Sequence, residues 1–148
     1  MDYRLFVCDL DNTSLKGSCQ SSWQMIWDFL GIDDEFRRHG WQQYMSGVFS
    51  YPDWCAHDAR TFRAHGLRRD HFTEICRGFR PAPGLRETLE ALKQRGVRLA
   101  IVSGALDRIL HTALPWHGEF FDQAFVNTAK FDEDGLICGI LPTPYDFE

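Results

Sequence analysis

With 148 residues the chain can bury one substantial core, or one core and a small accessory unit. A net charge of −5 and an isoelectric point near 5.6 speak against a nucleic-acid-binding surface, the pairs Arg37-Arg38 and Arg68-Arg69 reading as solvated helix faces. The five cysteines (Cys8, Cys19, Cys55, Cys76, Cys138) are odd in number and lack Cys-x-x-Cys spacing, and neither a signal peptide nor an apolar run of membrane-spanning length is present, so the expectation is a cytoplasmic protein with reduced thiols and no membrane partner.

In chain order, the first element is the apolar run Leu5 to Cys8, which reads as a strand buried on both faces. It ends in Asp9-Leu10-Asp11-Asn12-Thr13. Ligands of open α/β sheets bind beyond the carboxyl ends of strands, and this spacing lets both carboxylates approach one metal ion or one phosphoryl group. Two like charges so close are costly unless a cation neutralises them, and a divalent metal is the simplest such cation. An acidic surface turn is the plain alternative. A calcium loop is excluded: Ser14 stands where glycine is required, Gln20 where the bidentate glutamate belongs, and a strand precedes the motif instead of a helix.

Helical periodicity follows. Ser21 or Ser22 caps a helix carrying Trp23, Ile26, Trp27 and Leu30, and Gly31 ends it. A second helix starts near Asp33 or Asp34 and runs through Phe36, Trp41 and Tyr44 toward Gly47, with Gly40 weakening its middle. Ser50, Pro52 and Asp53 start a third, which closes at Gly66. A fourth spans about Asp70 to Arg77. Pro81-Ala82-Pro83-Gly84 reads as a hinge. Leu85, Leu89 and Leu92 then line a helix ended by Gly96. Val97 to Val102 form a second strand, with Ser103-Gly104 at its end and a helix from about Ala105. A third, short strand centres on Ala124 to Val126, and Lys130 to Ile137 form a hairpin turning at Asp134-Gly135. Alternating strands and helices imply parallel pairing through right-handed crossovers. A hydroxyl at a strand end, next to a helix N-terminus, suits a phosphate oxygen; an ordinary serine cap without a ligand is the alternative.

Asp9-x-Asp11-x-Thr13 after a hydrophobic strand, together with Ser103-Gly104 across the helical insertion, resembles the first and second motifs of the haloacid dehalogenase superfamily. Pro83-Gly84-Leu85 with Leu89 and Leu92 is most similar to the phosphoserine-phosphatase-like members. The resemblance implies an α/β fold with a three-layer Rossmann-like parallel sheet: a core of residues 1–15 and 81–148, and an inserted α-helical cap at 16–80. It implies a Mg²⁺-dependent phosphomonoesterase acting on a small phosphorylated metabolite. Asp9 would be the nucleophile forming an aspartyl-phosphate, and Asp11 the general acid and then base. Mg²⁺ would be held by Asp9 and Asp11, the phosphoryl oxygens by Leu10, Ser103 and Gly104. Asp11 weighs against dehalogenation, which needs no acid there.

The sequence departs from the family at its far end. It stops at Pro142 to Glu148, where the third-motif lysine should follow; Lys16, Lys93 and Lys130 do not match that position, and the fourth-motif acidic pair is absent. The sheet would then be incomplete at its C-terminal end, leaving Leu5 to Cys8 as an apolar edge. A non-catalytic module that binds phosphate or a partner without turnover is the second reading. Phosphoserine-specific members use a cap glutamate and a cap arginine; the corresponding stretches here offer Ser18-Cys19 and His57-Asp58, which argues against phosphoserine. Most of the aromatics Trp23, Trp27, Trp41, Tyr44 and Trp54 are expected to pack the cap, with a few facing the cleft.

Overall fold

Parallel pairing of the two most apolar runs builds one side of the sheet. The computed structural model describes residues 4–17 and 21–145. Strand β1 (Leu5–Cys8) lies parallel to β4 (Arg98–Leu106), with Leu5 opposite Arg98 and Cys8 opposite Ile101. β4 pairs in parallel with β5 (Gln123–Phe131), which turns back into the antiparallel β6 (Ile137–Leu141), giving the order β1-β4-β5-β6. Gly135, at φ +78°, makes the expected hairpin turn.

β1 is not buried on both faces. Leu5 and Val7 are 59% and 48% exposed, while Phe6 and Cys8 pack against the core. Among the described residues β1 is hydrogen-bonded only to β4, and only one of its faces is covered, so its four apolar residues alternate between core and surface. β4 and β5 are each longer than the hydrophobic runs suggest, β5 contains the expected Ala124 to Val126, and a short helix α7 (His117–Phe120) precedes it.

Between β1 and β4 lie α1 (Ser22–Leu30), α2 (Asp34–Met45) and α3 (Tyr51–Ala64). Their ends are fixed by local chemistry. Ser21 caps α1 and Gly31 closes it in the left-handed conformation; Asp33 caps α2; Ser50 and Asp53 cap α3 reciprocally. The expected fourth helix is broken into a 3₁₀ turn at Arg69–His71, α4 (Phe72–Ile75) and a second 3₁₀ turn at Cys76–Gly78. The segment is closed by a two-stranded ribbon that periodicity missed: β2 (Leu15–Lys16) pairs antiparallel with β3 (Arg80–Pro81), and Ala82 N–H donates to Ser14 C=O at 2.9 Å. Pro81, expected in a hinge, is thus a strand residue, and the chain enters and leaves the helical segment side by side. α5 (Leu85–Gln94) and α6 (Asp107–Ala113) complete the αβ units.

One apolar cluster joins both parts: Ile26, Trp27 and Phe62 from the helical segment share it with Leu99, Ile101 and Leu106 from β4. Arg63 adds a hydrogen bond to Ile137 C=O at 2.8 Å and an ion pair with Asp132 at 2.9 Å. No helix among the described residues is long and apolar enough to cross a membrane.

Candidate active site

After Cys8 the chain leaves the ladder through a tight turn. Asn12 adopts φ +53°, a left-handed conformation that asparagine tolerates better than most residues. The turn is held by near neighbours: Thr13 Oγ1 donates to Asp9 Oδ2 at 3.3 Å, Ser14 Oγ to the Asp9 carbonyl at 2.7 Å, and Leu15 N–H to the Leu10 carbonyl at 2.8 Å. Asp9 is thereby exposed at the strand end, while Leu10 turns its side chain fully into the core.

Asp11, two residues on, has a different environment. Its Oδ2 accepts both the backbone N–H and the hydroxyl of Ser22, each at 2.8 Å, in the first turn of α1. Its Oδ1 is buried and has no hydrogen-bond partner. Burial pushes the Asp11 carboxyl above the ordinary range, the nearby Asp9 charge pushes the same way, and the two Ser22 donors oppose them.

The end of β4 is built on a bulge. Ser103 pairs with Val126 and Leu106 with Asn127, so Gly104 and Ala105 have no opposite residue on β5. The strand therefore runs through Ser103-Gly104 to Leu106, and the next helix, α6, begins at Asp107. The expected helix start at Ala105, with its dipole behind Ser103-Gly104, is overturned; the bulge turns these residues toward the cavity instead. Ser103 is buried, and its Oγ accepts the Ala105 N–H at 3.3 Å. The Gly104 carbonyl receives two long-range donors, Trp23 Nε1 at 2.9 Å and Asn127 Nδ2 at 2.6 Å. Fully buried Asn127 also donates to Tyr51 Oη at 2.7 Å and accepts Thr143 N–H at 2.8 Å.

Asp9, Asp11, Ser103 and Gly104 line one cavity of about 470 Å³. Leu10 does not line it, so any ligand contact it makes runs through its backbone. Trp23, Tyr44, Trp54 and Asp58 line it as well; Ser18 and Cys19, aligned loosely with the family's cap glutamate, lie outside the described residues. Cys55 also lines the cavity, but burial pushes its thiol up to about 12, so it stays protonated and is a poor nucleophile. The donors at the strand end are hard oxygens, the kind that suit a small divalent cation. Among the described residues no cluster of three or more His, Cys, Asp or Glu could hold a metal ion; the carboxylates at the end of β1 are those of Asp9 and Asp11.

Sequence reading missed Ser22, which was seen only as a possible helix cap, and Asn127, a single polar residue in a strand. Neither had a local signal: Ser22 meets Asp11 across eleven residues and Asn127 meets Gly104 across twenty-three.

The family described as hydrolase, haloacid dehalogenase-like hydrolase, matches residues 3–145. No curated protein matches the chain. Among solved structures, a hydrolase of the same family from Salmonella enterica serovar Typhi is 24% identical with a TM-score of 0.71, over 93% of this chain and 45% of that one. A phosphoserine phosphatase solved as a phospho-aspartyl intermediate analogue is 20% identical with a TM-score of 0.64, over 96% of this chain and 64% of that one. A phosphoserine phosphatase from T. onnurineus is 19% identical with a TM-score of 0.65, over 94% and 64%. At these identities the likeness is one of fold. The chain spans 45% to 64% of the lengths of these structures.

Proposed function

Because the chain belongs to the haloacid dehalogenase-like hydrolases, we propose that it carries the nucleophile, the acid and part of the phosphate site of a Mg²⁺-dependent phosphomonoesterase acting on a small phosphorylated metabolite. In this reading residues 1–15 and 81–148 form the core and residues 16–80 the cap. The observation that carries the proposal is the contrast between two carboxylates two residues apart at one cavity. Asp9 is exposed and placed for attack on phosphorus; Asp11 is held by Ser22 and favoured in its protonated form.

The Asp9 carboxylate attacks the phosphoryl group and forms an aspartyl-phosphate, and the P–O bond to the alcohol breaks. Asp11 gives its proton to the departing alkoxide oxygen. With Oδ2 occupied by Ser22, Oδ1 is the oxygen left to hold that proton. The resulting Asp11 carboxylate then takes a proton from the water that cleaves the acyl-phosphate, which restores both residues and releases orthophosphate. Ser103 Oγ, the Gly104 N–H and the Leu10 backbone would bind phosphoryl oxygens. Mg²⁺, held by the Asp9 carboxylate and Asp11 through its backbone carbonyl, would supply positive charge to offset that of the phosphoryl group. One structural neighbour, a phosphoserine phosphatase solved as a phospho-aspartyl intermediate analogue, supports the covalent step.

A phosphate-binding module without turnover is the second reading, favoured by one observation: among the described residues no lysine, arginine or histidine lines the cavity shared by Asp9 and Ser103. Hydrolysis of p-nitrophenyl phosphate, with Mg²⁺ and with chelator, separates the two. Turnover that needs both Mg²⁺ and Asp9 is the expected result. Turnover unaffected by Asp9→Asn would overturn the mechanism, and saturable orthophosphate binding without turnover would establish the second reading.

A further inference from the structure

The cavity that holds Asp9 and Asp11 is also lined by the aromatic residues Trp23, Tyr44, Tyr51 and Trp54 and by a buried acid. Asp58, on α3, is only 3% exposed yet forms part of the cavity surface. Burying a carboxylate is costly unless opposite charge or hydrogen bonds compensate it. His57 Nδ1, donating as N–H, lies 2.9 Å from Asp58 Oδ1, and the pair carries net negative charge whenever the imidazole is neutral. The compensation is incomplete: burial pushes the Asp58 carboxyl above its ordinary range despite the bond from His57.

Trp23, Tyr44 and Trp54 line the same cavity, and tryptophan and tyrosine faces attract cations. The rings are held in place by one another and by the fold. Tyr44 stacks on Trp54 at 4.8 Å between centroids, Tyr51 meets Trp54 edge-on at 6.1 Å, and Trp23 is anchored by its N–H to the Gly104 carbonyl. Gly40, in the middle of α2, lets that helix approach α3 closely: a Cβ there would lie 3.0 Å from His57 Nδ1 and 3.3 Å from Trp54 Nε1. Arg37 and Arg38 line an adjoining cavity that shares Trp23, Trp54 and Asp58 with this one, and Arg37 is paired with Asp34 at 3.0 Å.

Resting on the phosphomonoesterase reading, we propose that the alcohol released is a cation: the substrate is the phosphate monoester of an amino alcohol, its alkylammonium group seated between Asp58 and the faces of Trp23, Tyr44 and Trp54. A positive group there compensates the buried carboxylate, which aliphatic or anionic leaving groups would not do. A leaving group bearing a carboxylate would meet Asp58 with no basic side chain among the described residues lining this cavity.

The test is a set of binding titrations on the full chain, followed by indole fluorescence and by NMR of the ligand. The probes are choline, its uncharged isostere 3,3-dimethyl-1-butanol, and orthophosphate with Mg²⁺. Choline should bind at least ten-fold more tightly than the isostere, a comparison that needs no variant. Asp58→Asn and Trp54→Leu should each weaken choline binding about ten-fold and leave orthophosphate binding unchanged, with circular dichroism melts checking that both variants fold. Equal binding of choline and the isostere, or no choline binding while orthophosphate binds, overturns the inference and leaves the phosphatase reading standing. Choline binding without orthophosphate binding overturns the phosphatase reading and, with it, the leaving-group role.

Discussion

The ends of β1 and β4 face one cavity, yet they are held in opposite ways. At β1 the supports are close in sequence: Thr13 and Ser14 reach back four and five residues to Asp9. At β4 they are remote: the Gly104 carbonyl is held by Trp23 across eighty-one residues and by Asn127 across twenty-three, and Asn127 is tied to Tyr51 across seventy-six. A site can thus be assembled from one loop that folds on itself and one bulge that takes shape only when three distant elements dock. Asp11 bridges the two kinds, because its own turn is local but its hydrogen-bond donors come from α1.

Breaking the local end at its reactive group should give the largest effect. Asp9→Asn is expected to reduce p-nitrophenyl phosphate hydrolysis on the order of a thousandfold or more, with an unchanged melting temperature because Asp9 is exposed. Asp11→Asn should lower kcat by roughly 10²–10⁴-fold and, unlike Asp9→Asn, raise the melting temperature near neutral pH. Burial makes the folded state bind the Asp11 proton more tightly than the unfolded state does. Asp11 therefore costs stability as pH rises through its raised folded pKa, and costs none below the unfolded carboxylate range. The variant's advantage should be full above that window and vanish as pH falls through it; melting curves across pH check the sign.

The remote end is sharpened next. Asn127→Leu removes partners from the Gly104 carbonyl, Tyr51 Oη and Thr143 N–H at once, and should cost about 2–4 kcal/mol in denaturant unfolding. Its effect on orthophosphate affinity should exceed that of Ser14→Ala, which removes the hydroxyl's part-buried contacts with the Asp9 carbonyl and Cys8 Sγ and should cost about 1 kcal/mol. Thr13→Ala, at the surface, should stay within about 0.5 kcal/mol. If Ser14→Ala proved costlier than Asn127→Leu, the contrast between a local and a remote strand end would be inverted.

Sequence alone determined what depends on neighbours along the chain. Ser21, Asp33 and Ser50 cap helices through bonds to residues two or three positions away. Gly31 and Gly135 mark turns by their backbone freedom, and Asp9-x-Asp11-x-Thr13 marks the loop beyond β1. The parallel pairing of the strands followed from the alternation of strand and helix patterns. Tertiary structure alone decided the one-sided burial of Leu5–Cys8, because burial depends on which elements cover a strand and not on its own residues. It also decided the two-residue bulge at Gly104-Ala105, the β2–β3 ribbon, and the fixing of Asp11 by Ser22 and of Gly104 by Asn127. Each brings together groups whose separation along the chain carries no periodic signal. Their hydrogen bonds are strong only where packing has removed the competing water, so they exist only once the core has formed.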